Sequence, residues 1–383
     1  MTFTYLDHNA TTPLLPVVKE AMAPYWQGVT GNPSSMHRSG RMARAAVEQA
    51  RDQVAELVGA HASQVVFTSG GTEANNLALK GMAGYHPAGL LLVGATEHAS
   101  VQETAVALSH RGWLLEKTVV ENRGRVLLAQ TQSTLAQAPA MVSVMWANNE
   151  TGVIEDIPAL AEWAQAQGAV MHSDAVQAAG KVEIDFAGSG VQLMSVSAHK
   201  LGGPKGVGAL IVDKSLTLEP LLHGGGHEKG YRSGTENVAG IVGFGVAAMA
   251  AQQHLQTEGR RLRTLRQQLE RGLLAVTGIE VVAQDAERLP NTVCFIIPGV
   301  DAEMLVNKLD RAGFAVSSGS ACGSHKAVGS SVLAAMGYAP DMAQAALRVS
   351  LGQGNTEQDI ERFLTALAAQ LQQLMPGNRR SLA

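Results

Sequence analysis

The chain has 383 residues, 46% of them hydrophobic and 16% charged, so it can bury a large core and is not a disordered chain. Its 29 basic and 33 acidic residues leave a net charge of -4 with no basic block, so no electrostatic footprint for nucleic acid or for a membrane surface is expected. The two cysteines, Cys294 and Cys322, exclude a disulfide framework and a cysteine-rich zinc or iron–sulfur site, and no metal is expected.

At the amino end, MTFTYLDHNATTP lacks the basic region and apolar stretch of a secretory signal. No apolar run approaches the roughly 20 residues that cross a bilayer. The expectation is a cytoplasmic protein with no direct membrane or nucleic-acid partner. Short apolar runs follow at 64–68, 90–94, 113–118, 140–145, 169–173, 193–197 and 208–212. Helical patterns lie between several of them, at 73–80, 100–110 and 157–167. Strands alternating with helices predict an α/β fold with a mostly parallel sheet, covered on both faces. Ligands on such sheets sit beyond the carboxyl ends of the strands, and the polar clusters of this chain fall there. A long Ala/Leu/Gln/Arg-rich helix is predicted from 237 to 277, with a break. Strands at 280–283 and 291–297, a helix at 301–312 and a last helix at 356–374 then predict a smaller α+β domain.

Five constellations carry chemistry. SGGTEANN (69–76) follows a strand and opens a helix, which suits a phosphate, although taken alone an ordinary glycine turn with a helix cap is the favoured reading. HSDAVQ (172–177) puts Asp174 at a strand end, either as a buried carboxylate needing donors or as a cap. SVSAHKLGGPKG (195–206) holds Lys200, a candidate Schiff-base lysine, and Lys205; taken alone, each reads better as a solvated loop lysine. HGGGHEKGYRSGT (223–235) suits an anion site or a mobile loop, and nothing completes a zinc site with His223 and His227. SSGSACGSH (317–325) sets Cys322 among small residues, where reactivity is a better reading than a tolerated surface thiol. Cys294, inside NTVCFII, alternates with core positions and reads as structural.

Together with YLDHNATTP (5–13), GNPSSMH (31–37), TEHAS (96–100), NNETG (148–152) and LRVSLG (347–352), these clusters closely resemble the NifS/IscS-like cysteine desulfurases. Those are class V, fold-type I pyridoxal-phosphate enzymes. The resemblance covers nearly the whole chain. It implies a large cofactor-binding domain at 15–255 with a seven-stranded sheet, and a small domain from 1–14 and 256–383. It implies that Lys200 forms the internal aldimine with pyridoxal 5'-phosphate and moves protons, that Asp174 pairs with the pyridinium nitrogen, and that Gln177 bonds the ring phenolate oxygen. His98 would stack on the ring as a catalytic group. Gly71, Thr72, Ser197 and His199 would hold the phosphate, and Thr235 would reach the phosphate of the other subunit of a homodimer. Asn149 would serve cofactor and substrate, and Arg348 with Asn149 would bind the carboxylate of L-cysteine. Cys322 would take the sulfur as a persulfide and pass it to an acceptor, an iron–sulfur scaffold or a thiolation enzyme. Gly323, the segment 325–331 and Gln353 depart from the common pattern without touching the cofactor residues. Selenocysteine lyase, or another class V reaction on the same cofactor, is the alternative chemistry. A non-catalytic sulfur relay fits less well, because Lys200 and Asp174 are both present.

Overall fold

The computed structural model describes residues 3–319 and 329–374. The chain begins with β1 (Thr4–Tyr5), α1 (Pro16–Gln27), α2 (Arg38–Leu57) and β2 (Val65–Thr68). Next come α3 (Gly71–Tyr85), β3 (Leu90–Val93), α4 (Ala99–Ser109), β4 (Leu114–Lys117), α5 (Leu128–Thr134) and β5 (Pro139–Ser143). Then follow α6 (Ile157–Ala166), β6 (Val170–Asp174), β7 (Leu193–Ser197), β8 (Gly208–Val212) and α7 (Val238–Leu274). The remainder holds β9 (Glu280–Val281), β10 (Thr292–Ile296), α8 (Ala302–Arg311), β11 (Phe314–Ala315) and β12 (Ser317–Ser318). It closes with α9 (Ser331–Ala335), α10 (Pro340–Gln344), β13 (Ala346–Ser350) and α11 (Glu357–Leu374).

The seven apolar runs form one seven-stranded sheet in the order β2-β8-β7-β6-β5-β3-β4. Its neighbours are parallel except at β8, which runs antiparallel to both β7 and β2. The central strands β5, β6, β7 and β8 are almost wholly buried, as the unbroken apolar runs require for a sheet sandwiched between helices. One face packs on residues of α2, α6 and α7, and the other on α3 and α4. A second core gathers the far half of α7, α8, α11 and a four-stranded antiparallel sheet ordered β12-β13-β10-β9. The amino end joins it, since β1 pairs in parallel with β11.

Two expectations are corrected. The predicted break in the long helix is absent: α7 runs unbroken for 37 residues. Its glycines serve close approach instead. A Cβ at Gly243 would lie 2.6 Å from Met22 Sδ of α1, and one at Gly245 would lie 2.6 Å from the Ala50 Cα of α2. The second is the expectation that no apolar run approaches bilayer length: residues 238–257 of the same helix carry no charged side chain, so this helix is long and apolar enough to cross a bilayer by length and composition. Packing on α1 and α2 accounts for that apolarity, because Ile241, Phe244, Ala247 and Ala248 are buried in the core.

Candidate active site

Strand pairing builds the first part of the site. Thr68, ending β2, and Ser197, ending β7, both pair with Gly208 at the start of β8, so two distant loops leave the sheet side by side. Only glycine fits at 208: a Cβ would stand 2.7 Å from the Gly70 carbonyl carbon and 2.7 Å from the Val196 oxygen. Beyond these strand ends lies a pocket of about 400 Å³ lined by Ser69, Gly71, Thr72, Ser197, His199 and Lys205 among others. The N-terminus of the 15-residue helix α3 opens into it, which favours an anion. Ser197 Oγ is buried without a hydrogen-bond partner among the described residues. Burial first, then the charges of Lys200, Lys205 and Lys181, push His199 down to about 4. A bound anion would offset that repulsion.

The second part is a buried polar chain. Asp174 ends β6 and is 5% exposed. Its Oδ2 accepts from Asn75 Nδ2 at 2.7 Å and its Oδ1 from the Val176 N–H at 3.0 Å. No ion pair to Asp174 occurs among the described residues. Asn75 Nδ2 also reaches Ser100 Oγ at 2.8 Å, and Ser100 Oγ lies 2.7 Å from His98 Nδ1. The Ser100 N–H donates to the same ring nitrogen at 3.1 Å, because His98 caps α4. Nδ1 is therefore an acceptor, and a neutral His98 carries its proton on Nε2. Glu97, one residue earlier, accepts from the Met145 N–H. Burial first, then the charge of Asp174, hold its carboxyl well above the usual carboxylate range.

The third part comes from the amino end. Lys200 follows β7 in a single turn, and its Nζ donates to the Ala10 carbonyl at 2.8 Å and to the Asn9 carbonyl. Asn9 O also accepts from Gln177 Nε2 at 2.9 Å. Arg348, in β13, donates from Nη1 to the Asn149 carbonyl at 2.9 Å and from Nη2 to Asp7 Oδ1 at 2.7 Å. Its Nε is buried with no partner among the described residues, leaving an edge of the guanidinium for a further acceptor. Lys200 also lines a larger cavity of about 690 Å³, together with Lys181, His8, Leu201 and Gly202.

Residues 4–363 match the family described as aminotransferase class-V. A cysteine desulfurase of Sinorhizobium fredii is 42% identical over 374 residues, covering 97% of this chain and 97% of that protein. A solved NifS-like protein superposes with a TM-score of 0.91 at 34% identity, covering 97% of this chain and 99% of the other. The solved complex of SspA with cysteine gives a TM-score of 0.81 at 30% identity, over 91% of this chain and 98% of that one. The chain belongs to the class-V aminotransferase family, among its cysteine desulfurases.

These are pyridoxal-phosphate enzymes, and the residues of this chain fit that cofactor. Ser197 Oγ lacks a partner at an anion-suited helix N-terminus, and Asp174 is held by neutral donors alone. As a member of this family, the chain presents Asp174 and His98 on one hydrogen-bonded chain, through Asn75 and Ser100, and Lys200, Gln177 and Arg348 on another, through Asn9 and the Asn149 carbonyl. Gly71, Thr72, Ser197 and His199 are gathered in one pocket. Asn149 is buried, and among the described residues its hydrogen bonds run through its carbonyl. Thr235 is not brought to this pocket; it is exposed in the loop before α7. Cys322 lies outside the described residues. Sequence reasoning missed Asn75, Ser100, Asp7, Asn9 and Lys181. Asp7, Asn9, Asn75 and Ser100 stood inside quoted motifs, but only folding shows that Asn75 and Ser100 join Asp174 to His98.

Proposed function

We propose that the chain is a cytoplasmic, homodimeric cysteine desulfurase that converts L-cysteine to L-alanine and holds the sulfur on Cys322 as a persulfide. An acceptor then takes the sulfur, an iron–sulfur cluster scaffold or a thiolation enzyme. The observation that carries this reading is the placement of Asp174, buried among neutral donors, on the strand beside the one that leads to Lys200. Residues 15–255 form the cofactor-binding domain in this reading, and 1–14 with 256–383 the small domain.

Gly71, Thr72, Ser197 and His199 hold the phosphate, with Thr235 of each subunit serving the other. Asp174 would hold the ring nitrogen protonated. Gln177 would donate to the ring oxygen, and His98 would stack on the ring. Pyridoxal phosphate supplies an electron sink for the substrate Cα. Arg348 binds the substrate carboxylate through its fork, beside Asn149. Lys200 then removes the Cα proton and later returns one. The Cys322 thiolate attacks the substrate sulfur: the S–S bond forms, the C–S bond breaks, and its electron pair goes to carbon. That carbon takes up one proton and becomes the methyl group of the alanine that is released.

Incubation with L-cysteine should give one alanine per persulfide formed in a single turnover, with the persulfide mapped to Cys322 by mass spectrometry. Lys200→Ala should abolish both. Failure to form alanine with cofactor bound would overturn the proposal.

A further inference from the structure

Gln177 is 4% exposed, and its side-chain amide is held at both ends. Lys181 Nζ donates to Gln177 Oε1 at 2.8 Å and to the Gln177 carbonyl at 3.1 Å. At the opposite end Gln177 Nε2 donates to the Asn9 carbonyl at 2.9 Å. That carbonyl also accepts from Lys200. These partners settle which way the amide points. A lysine nitrogen carries hydrogens in either charge state, and a peptide carbonyl carries none. Flipping the amide would set NH₂ against the lysine donors and oxygen against the Asn9 oxygen.

We propose that Lys181 is a positioning residue that locks the Gln177 amide with its NH₂ end toward the Asn9–Lys200 side of the site. This rests on the reading of Gln177 as a cofactor-binding residue. Of the two amide hydrogens, one is given to Asn9, and the other is left for the ring oxygen of pyridoxal phosphate. Lys181 acts through Gln177 and does not touch the reacting atoms. Burial first, then the charges of Lys200 and Arg348, bring Lys181 down to about 7. Near neutral pH a large fraction of it is therefore uncharged, and hydrogen-bond donation survives where a purely Coulombic role would fade.

The test is a double-mutant cycle on full-length protein freed of cofactor and titrated with pyridoxal phosphate. It reads the dissociation constant and the wavelength of the bound absorption band, not turnover. Lys181→Met and Gln177→Ala should each weaken binding by about tenfold and move the band in the same direction. The double variant should bind no more weakly than Gln177→Ala alone. Lys181→Arg, which keeps a donor, should stay within about twofold of wild type. Losses that multiply in the double variant overturn the proposal, as does a Lys181→Met protein that binds like wild type. Should Lys181→Met not fold, a tenfold loss in Lys181→Arg overturns it instead. A Gln177→Ala protein with unchanged affinity and band removes the cofactor role of Gln177 itself. A changed Gln177→Ala with multiplying losses removes only the part assigned to Lys181.

Discussion

Cys294 and Cys322 should differ sharply in chemistry, and Cys294 is the one whose surroundings can be read atom by atom. It lies in the middle of β10 with no exposed surface, paired in register with Arg348 of β13 and packed among Val153, Val332, Leu333 and Met336. Burial first, then the charge of Glu150, push its thiol from 9.0 up to about 12. At any pH well below both values, that leaves on the order of a thousandfold less thiolate than an ordinary cysteine has. Native protein should therefore resist iodoacetamide at Cys294 while Cys322 is alkylated, and denaturant should expose Cys294. Cys294→Ala deletes one buried sulfur and keeps the β10 backbone bonds, so it should cost about 1–2 kcal/mol of stability and no activity. Cys294→Ser should cost more, about 1–3 kcal/mol, if the buried hydroxyl finds no partner. Cys322→Ala should bind cofactor and cysteine and make almost no alanine. Alkylation of native Cys294, a persulfide mapped to it, or normal turnover in Cys322→Ala would refute the reasoning.

Three further outcomes are expected. Arg348→Lys loses the planar fork and should raise KM for cysteine about tenfold or more with the cofactor band intact; an unchanged KM would show that the carboxylate binds elsewhere. Burial raises Glu155 from 4.5 to about 7, so the folded state holds an extra proton between those values and stability falls as pH rises through that window. Glu155→Gln removes this burden, and its gain in unfolding free energy should grow from pH 5 to pH 8, to no more than about 3 kcal/mol; a gap independent of pH would contradict it. If Thr235 serves the partner's phosphate, sedimentation should show cofactor travelling with dimers, and a fully loaded, stable monomer would count against that arrangement.

Much of the architecture was legible in the chain. Six of the seven strands of the large sheet are buried and are marked by largely apolar runs between turn residues, because a strand buried on both faces cannot alternate polar and apolar positions; β4, at the sheet edge, is partly exposed and carries Glu116 and Lys117. The polar clusters after those strands, from Ser69 to Lys205, were readable for a related reason: the carboxyl edge of a parallel sheet is where side chains are free to converge. The course of α7 was not legible. Glycines at 243 and 245 look like a break in isolation, and only the neighbouring Met22 and Ala50 show that they are needed for close helix packing. The hydrogen-bonded linkages within the site were equally hidden. Asp7 meets Arg348 across 341 positions, Asn75 meets Asp174 across 99, and Asn9 lies against Gln177 and Lys200 from the far end of the chain. Local composition sets which segment becomes strand or helix, since that depends on period and burial along a few residues. Which side chain orients another depends on the order of strands and the path of the amino end, and those exist only once the two cores have packed.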